Sequence, residues 1–180
     1  MRGIYLLIPC GLCREIAYLK PMEEKDKTEF MKEAIKLAIE GMNANKGGPF
    51  GAVVVRNNLI IGKGCNKVTS SNDPTAHAEI VAIREACKTT GSFNLEGCEL
   101  FTTCEPCPMC LGAIYWAGIS RVYYACTRED AANLGFDDLF IYKEFSLSIK
   151  ERKIPFIQLA QPEAREVFKM WDAKSDKKLY

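Results

Sequence analysis

The chain has 180 residues, 24 Lys+Arg against 23 Asp+Glu, nine cysteines and a single histidine, His77. That length, with 48% hydrophobic residues, is enough for one core and argues against a multidomain assembly. A formal net charge of +1 gives no global positive field for a polyanion or an anionic membrane, and one histidine excludes a Ser-His-Asp triad beside a separate two-histidine metal site.

Residues 3–13 (GIYLLIPCGLC) follow Arg2 like a short signal-peptide core, but Pro9 interrupts them and they are too few to span a bilayer. We set residues 1–21 apart as an unassigned N-terminal extension and expect the working domain over 22–180, opening on the polar EEKDKTEF. The odd number of cysteines, without a framework spacing, reads as reduced thiols in a cytoplasmic protein. Asp26 and Glu29 match a capping box, and Phe30, Ala34, Leu37 and Ala38 recur at helical spacing, which predicts a helix over 27–42. Gly47, Gly48 and Pro49 punctuate the chain before a β-branched run at 50–55; Asn57 and Asn58 separate it from 59–61, which predicts a hairpin. Asp73 and Pro74 are start signals for a helix over 75–87, with His77 and Glu79 in its first turn. A third strand is expected at 98–103, a helix at 109–116 stopped by Gly118, and a fourth strand at 121–125. Strand, helix and strand in close succession imply a parallel crossover. Downstream, 130–134 reads as a short helix, 135–143 as connection, 154–159 as a fifth strand and 163–173 as a terminal helix. The order describes an α/β fold, a mixed sheet with helices on its faces.

Cys107 and Cys110 stand at a strand-to-helix junction, where two thiolates can face one ion and the helix N-terminus favours their charge. With His77 as third ligand, a tetrahedral zinc keeps one position open. A lone CxxC also fits a redox pair or two buried thiols; HAE opening one helix and PCPMC opening the next, with a strand between, favours zinc. Glu79 suits proton transfer beside such a site, and equally suits a capping carboxylate in a first helical turn. A His/Cys/Cys zinc with a non-ligand Glu is the arrangement of nucleobase deaminases. Cys104, three residues before Cys107, offers a fourth ligand and a closed structural site as the alternative. Cys10 and Cys13 form a second CxxC of no assigned role.

TAHAEI at 75–80 and TTCEPCPMCLGAI at 102–114 resemble the zinc-dependent cytidine deaminase-like superfamily. GGPFGAVVV at 47–55, the stretch GCNKVTSSNDPTAHAE around Asn66, LGAIYWAGI at 111–119 and GFDDLFIYKE at 135–144 resemble its bacterial guanine deaminase family over about 27–180. The resemblance implies a three-layer α/β/α sandwich with a mixed five-stranded sheet. It also implies one Zn2+ per subunit held by His77, Cys107 and Cys110, without Cys104, and Glu79 as proton shuttle. Asn66 is then the asparagine that hydrogen-bonds the purine, Asp138 assists at the exocyclic amine, and Phe50 and Trp116 are aromatic pocket residues. The family's homodimers exchange a C-terminal segment, here about 160–180, which places Tyr180 over the partner's base; a polar solvated tail is the plainer reading of DAKSDKKLY.

The implied reaction is hydrolysis of guanine to xanthine and ammonia by zinc-activated water. The zinc motifs alone also fit a tRNA adenosine deaminase or another nucleobase deaminase, which near-zero net charge disfavours only weakly. A zinc-stabilised interaction module is the non-enzymatic alternative. The leading expectation is a small purine base as partner, with neither nucleic acid nor membrane.

Overall fold

The computed structural model describes residues 23–179, so the readings of residues 1–21, of Cys10 and Cys13 and of Tyr180 lie outside the described residues. The elements run α1 (Glu24–Asn43), β1 (Gly51–Arg56), β2 (Leu59–Cys65), α2 (Val68–Ser71), α3 (Ala78–Thr90), β3 (Glu99–Cys104), α4 (Pro108–Trp116), β4 (Arg121–Cys126), α5 (Arg128–Ala132), α6 (Leu139–Ser146) and α7 (Gln161–Ala173). The strands form one sheet in the order β2-β1-β3-β4. β1 is antiparallel to β2 and to β3, whereas β3 and β4 are parallel and α4 makes the crossover that a parallel pair requires. The sheet is mixed, as expected.

The layering follows from the pleat of β1, which lies in the sheet interior and alternates its side chains between two faces. Ala52 and Val54 pack with Ala78, Ala82, Ile83 and Ala86 of α3 and with Ile114 of α4. Val53 and Val55 turn the other way, joining Phe101 against Phe30, Met31 and Leu37 of α1. A sheet buried on both faces needs such a continuous apolar run instead of a polar alternation. Asn57 and Asn58 close the β1–β2 hairpin with φ of 51° and 60°, a left-handed turn that asparagine tolerates.

α3 seats on β2 at glycine. A Cβ on Gly64 would lie 2.1 Å from the Ala78 carbonyl oxygen and 2.7 Å from the Ala82 amide nitrogen. Only a residue without that atom lets the first turn of α3 come down on the end of β2, and this close approach sets the height of His77 and Glu79 over the sheet.

Several expectations are corrected. The Asp26/Glu29 capping box does not form, because α1 begins earlier with Glu23 as its N-cap and no side-chain cap. Capping boxes close instead at Thr127/Asp130 and Ser148/Glu151. α6 occupies part of the stretch read as connection, and the four-residue α2 interrupts a stretch read as polar loop. The sheet has four strands, not five: residues 154–159 are not paired, with Ile157 85% and Leu159 86% exposed. A strand needs a sheet edge, and within one chain this segment does not reach the free edge of β4; Pro155 also lacks a donor. Among the described residues no position after Ala117 is buried, and no helix is long and apolar enough to cross a membrane.

Gly64→Ala is expected to cost about 2–3 kcal/mol through the clash with the α3 backbone. Urea unfolding followed by circular dichroism measures it; an unchanged midpoint counts against glycine as the seat of α3.

Candidate active site

Two helices start at the end of the sheet where parallel β3 and β4 finish, the usual place for ligands in α/β proteins. His77 is the N-cap of α3, and Cys107 is the N-cap of α4, with Pro108 at the first helical position. Proline fits there because its missing N–H has no intrahelical acceptor. Cys110, one turn into α4, points back to the same spot: His77 Nδ1 lies 3.5 Å from Cys107 Sγ and 3.6 Å from Cys110 Sγ. Among the described residues this is the one group of three or more metal-ligating side chains drawn together.

The spacing tests the metal. Zinc–nitrogen near 2.05 Å and zinc–sulfur near 2.3 Å at a tetrahedral angle put nitrogen and sulfur about 3.55 Å apart. The observed separations match that value, so the residues fit zinc with a fourth position left for something else. Charge agrees. The Cys107 thiol is held down to about 4, first by the Cys110 side chain and, against burial, by His77. The Cys110 thiol is pushed up, first by the same contact and then by burial. The pair therefore shares one proton, and the Cys107 contact raises the His77 imidazole's proton affinity. A divalent cation takes the place of those protons.

Cys104 stays outside the cluster. Its Sγ donates to the Thr127 carbonyl oxygen at 3.5 Å, and burial pushes its thiol up to about 11. The closed structural site thus lacks its fourth ligand.

A cavity of about 250 Å³ opens beside the cluster, lined by His77, Glu79, Asn66, Phe50 and Asp138 among others. That is small for a ligand pocket and fits a single ring system better than a large ligand. Glu79 is 6% exposed, and burial is the main cause of its raised proton affinity. Asp138, the N-cap of α6, is also shifted up, first by burial and next by the Cys107 charge. Asn66 is likewise 6% exposed. Its side-chain oxygen accepts from the Gly48 N–H at 3.3 Å and from the Val68 N–H at 3.1 Å, and its own N–H donates to the Phe50 carbonyl. The Phe50 ring meets Phe136 edge to face, centroids 5.0 Å apart.

Six of the expected site residues, Cys107 included, thus share one cavity. Trp116 does not: it is 70% exposed on α4 and lines a separate apolar groove with Ile83, Cys87 and Phe93. Sequence reasoning missed Phe136 and Arg128, which also line the cavity. Phe136 was within reach, since it precedes the two acids of GFDD. Arg128 carries no local signal, because only the fold brings the end of β4 to the mouth of the cavity, with the Arg128 guanidinium over the Tyr142 ring.

A profile of the cytidine and deoxycytidylate deaminase zinc-binding region matches residues 24–126. The guanine deaminase of Bacillus subtilis (strain 168) is 56% identical over 151 residues, 84% of this chain and 97% of the relative. An X-ray structure of guanine deaminase from that species superposes with a TM-score of 0.83 at 53% identity, covering 88% of this chain and 99% of the other. The tRNA-specific adenosine deaminase of Aquifex aeolicus (strain VF5) is 41% identical over 99 residues, 55% of this chain and 65% of the relative.

Stripping the metal with a strong chelator is expected to lower the unfolding temperature by about 10 °C, and added zinc to restore it. Cys107→Ser abolishes the difference; a full zinc content in that variant, measured by atomic absorption, counts against the site.

Proposed function

The chain belongs to the cytidine and deoxycytidylate deaminase zinc-binding family, and we propose that it is a guanine deaminase, converting guanine and water to xanthine and ammonia. One observation carries the choice of ring. The 151-residue alignment with guanine deaminase has to run well past position 126, where the family match ends. The cavity wall made by Arg128, Ala131 and residues 135–138 belongs to that additional stretch. The 99-residue alignment with a tRNA-specific enzyme spans little more than half the chain.

The chemistry follows from the site. Zinc, one ion per subunit, when bound by His77, Cys107 and Cys110 supplies a Lewis acid that makes water nucleophilic near neutral pH. Glu79 takes the proton that the attacking water loses and hands it to the ring nitrogen next to C2. The same carboxylate then takes the proton of the new C2 hydroxyl and passes it to the exocyclic amine, which leaves as ammonia while the C2 carbonyl forms. No proton is gained or lost overall. Asp138 accepts from the amine, Asn66 holds an edge of the base, and Phe50 with Phe136 packs on its ring.

The domain spans 22–180 and works as a homodimer with C-terminal exchange. Within one chain the segment 154–159 is unpaired and β4 keeps an open edge, which leaves both available to a second copy. α7 carries Val167 at 62%, Phe168 at 74% and Trp171 at 43% exposure along one side of the helix, an apolar face that a second copy can cover. Such an exchange delivers Tyr180 to the partner's cavity. Seven described cysteines, all free, fit a reducing cytoplasm.

Ammonia release is expected from guanine, and not from adenine, cytosine, guanosine or a tRNA anticodon stem. Glu79→Gln retains zinc and loses about 10³-fold in kcat; turnover of the RNA stem without turnover of guanine reverses the substrate assignment. In light scattering the protein is expected at twice the mass of the chain, and deletion of residues 160–180 is expected to abolish turnover. A fully active monomer counts against the exchange.

A further inference from the structure

Two aspartates stand together at the start of α6, and the mechanism above uses one of them. Both line the cavity, Asp137 exposed and Asp138 half-buried. An aspartate at an N-cap ordinarily turns its carboxylate onto a helix N–H two or three residues ahead. Asp138 holds the N-cap of α6 and makes no such bond. Its carboxylate is left to the cavity.

Asp137 makes its own bond around Asp138. Its Oδ1 accepts from the Leu139 N–H at 2.9 Å, closing an Asx turn whose central residue is Asp138. The ring holds the Asp138 backbone at φ −107° and ψ 4°, between the extended and helical regions, where many active-site residues sit. Upstream the chain is fixed as well. Gly135, at φ 90°, donates its N–H to the Ala132 carbonyl at 2.9 Å, and the Phe136 N–H reaches the Ala131 carbonyl at 3.1 Å, the closing bonds of a helical stretch that ends on a left-handed glycine. One turn beyond Asp138, the Tyr142 hydroxyl lies 3.5 Å from the carbonyl oxygen of Pro106, the residue before Cys107, so the start of α6 sits beside the loop that carries a metal ligand. With no helix N–H to hold its carboxylate, Asp138 takes its direction from its backbone.

We propose that Asp137 is a positioning residue for the deamination: its carboxylate closes the turn that aims Asp138 into the cavity, and it does no chemistry of its own. The effect on turnover rests on the guanine reading, in which Asp138 accepts from the amine. That amine gains positive charge as it leaves, so a carboxylate aimed at it counts for more in the transition state than in the bound substrate. Loss of aim therefore lowers kcat more than it raises KM.

Because Asp137 is exposed, its variants are expected to keep the unfolding temperature and zinc content of the wild type. In Asp137→Ala, kcat on guanine is expected to fall about tenfold with KM within about twofold. Asp137→Glu keeps the charge but carries its carboxylate one methylene too far to close the same ring, and is expected to fall alike. Asp137→Asn closes the ring with its amide oxygen and is expected to recover kcat to within about threefold of wild type. An effect of charge gives the opposite order, Glu active and Asn impaired, and that order overturns the proposal. In an Asp138→Asn background, Asp137→Ala is expected to cost nothing further; an undiminished loss there also overturns it. A crystal structure of zinc-loaded Asp137→Ala, set beside that of the wild type, reads the turn without substrate. The Asp138 carboxylate is expected to leave the cavity, and an unmoved carboxylate overturns the proposal. A wild type that releases no ammonia from guanine overturns the guanine reading alone, since the pair of crystal structures still decides whether Asp137 aims Asp138.

Discussion

The 3.5 and 3.6 Å separations between His77 Nδ1 and the two sulfurs exist because α3 and α4 begin at the same end of one sheet. Nothing local brings them together, since Cys107 comes 30 positions after His77. The parallel pairing of β3 with β4 forces α4 to cross back over the sheet, and Gly64 lets α3 settle beside it. The rest of the site hangs on that convergence. The helix starts turn two thiols and an imidazole to one point, where the positive ends favour thiolate charge, and the segments before β1 and after β2, β3 and β4 form the cavity walls.

Within those walls, burial does chemical work of two kinds. For Glu79 and Asp138 it raises the proton affinity of the carboxyl group. For Asn66 it acts through hydrogen-bond satisfaction: a buried amide has to place its oxygen where the backbone N–H groups are.

The chain divides into unequal halves. Up to Ala117 the residues build a core buried on both faces of the sheet, whereas the later elements carry large apolar side chains into solvent. β4 ends the sheet with an open edge. An open edge and an exposed apolar helix in one polypeptide are a liability in a lone subunit.

Legible in the sequence by itself were the grouping of His77, Cys107 and Cys110, the place of Glu79 in a first helical turn and, α2 apart, the alternation of elements through β4, because each rests on short-range pattern: periodicity, helix-start signals and side-chain spacing within one turn. Helix α6 and the Arg128 contribution were illegible, because α6 leaves Leu139, Phe140 and Phe145 facing solvent and Arg128 reaches the cavity only through the β4 register. The apolar run at 154–159 looks like a strand, yet pattern records the capacity to pair and not the presence of an edge to pair with. Trp116 shows the same limit: its neighbours in sequence match a purine-site motif, while the helical turn carries its ring to another face of α4. Tertiary structure alone decided which donors meet Asn66, which rings face each other and which edge stays open, since each depends on distances between segments far apart in the chain.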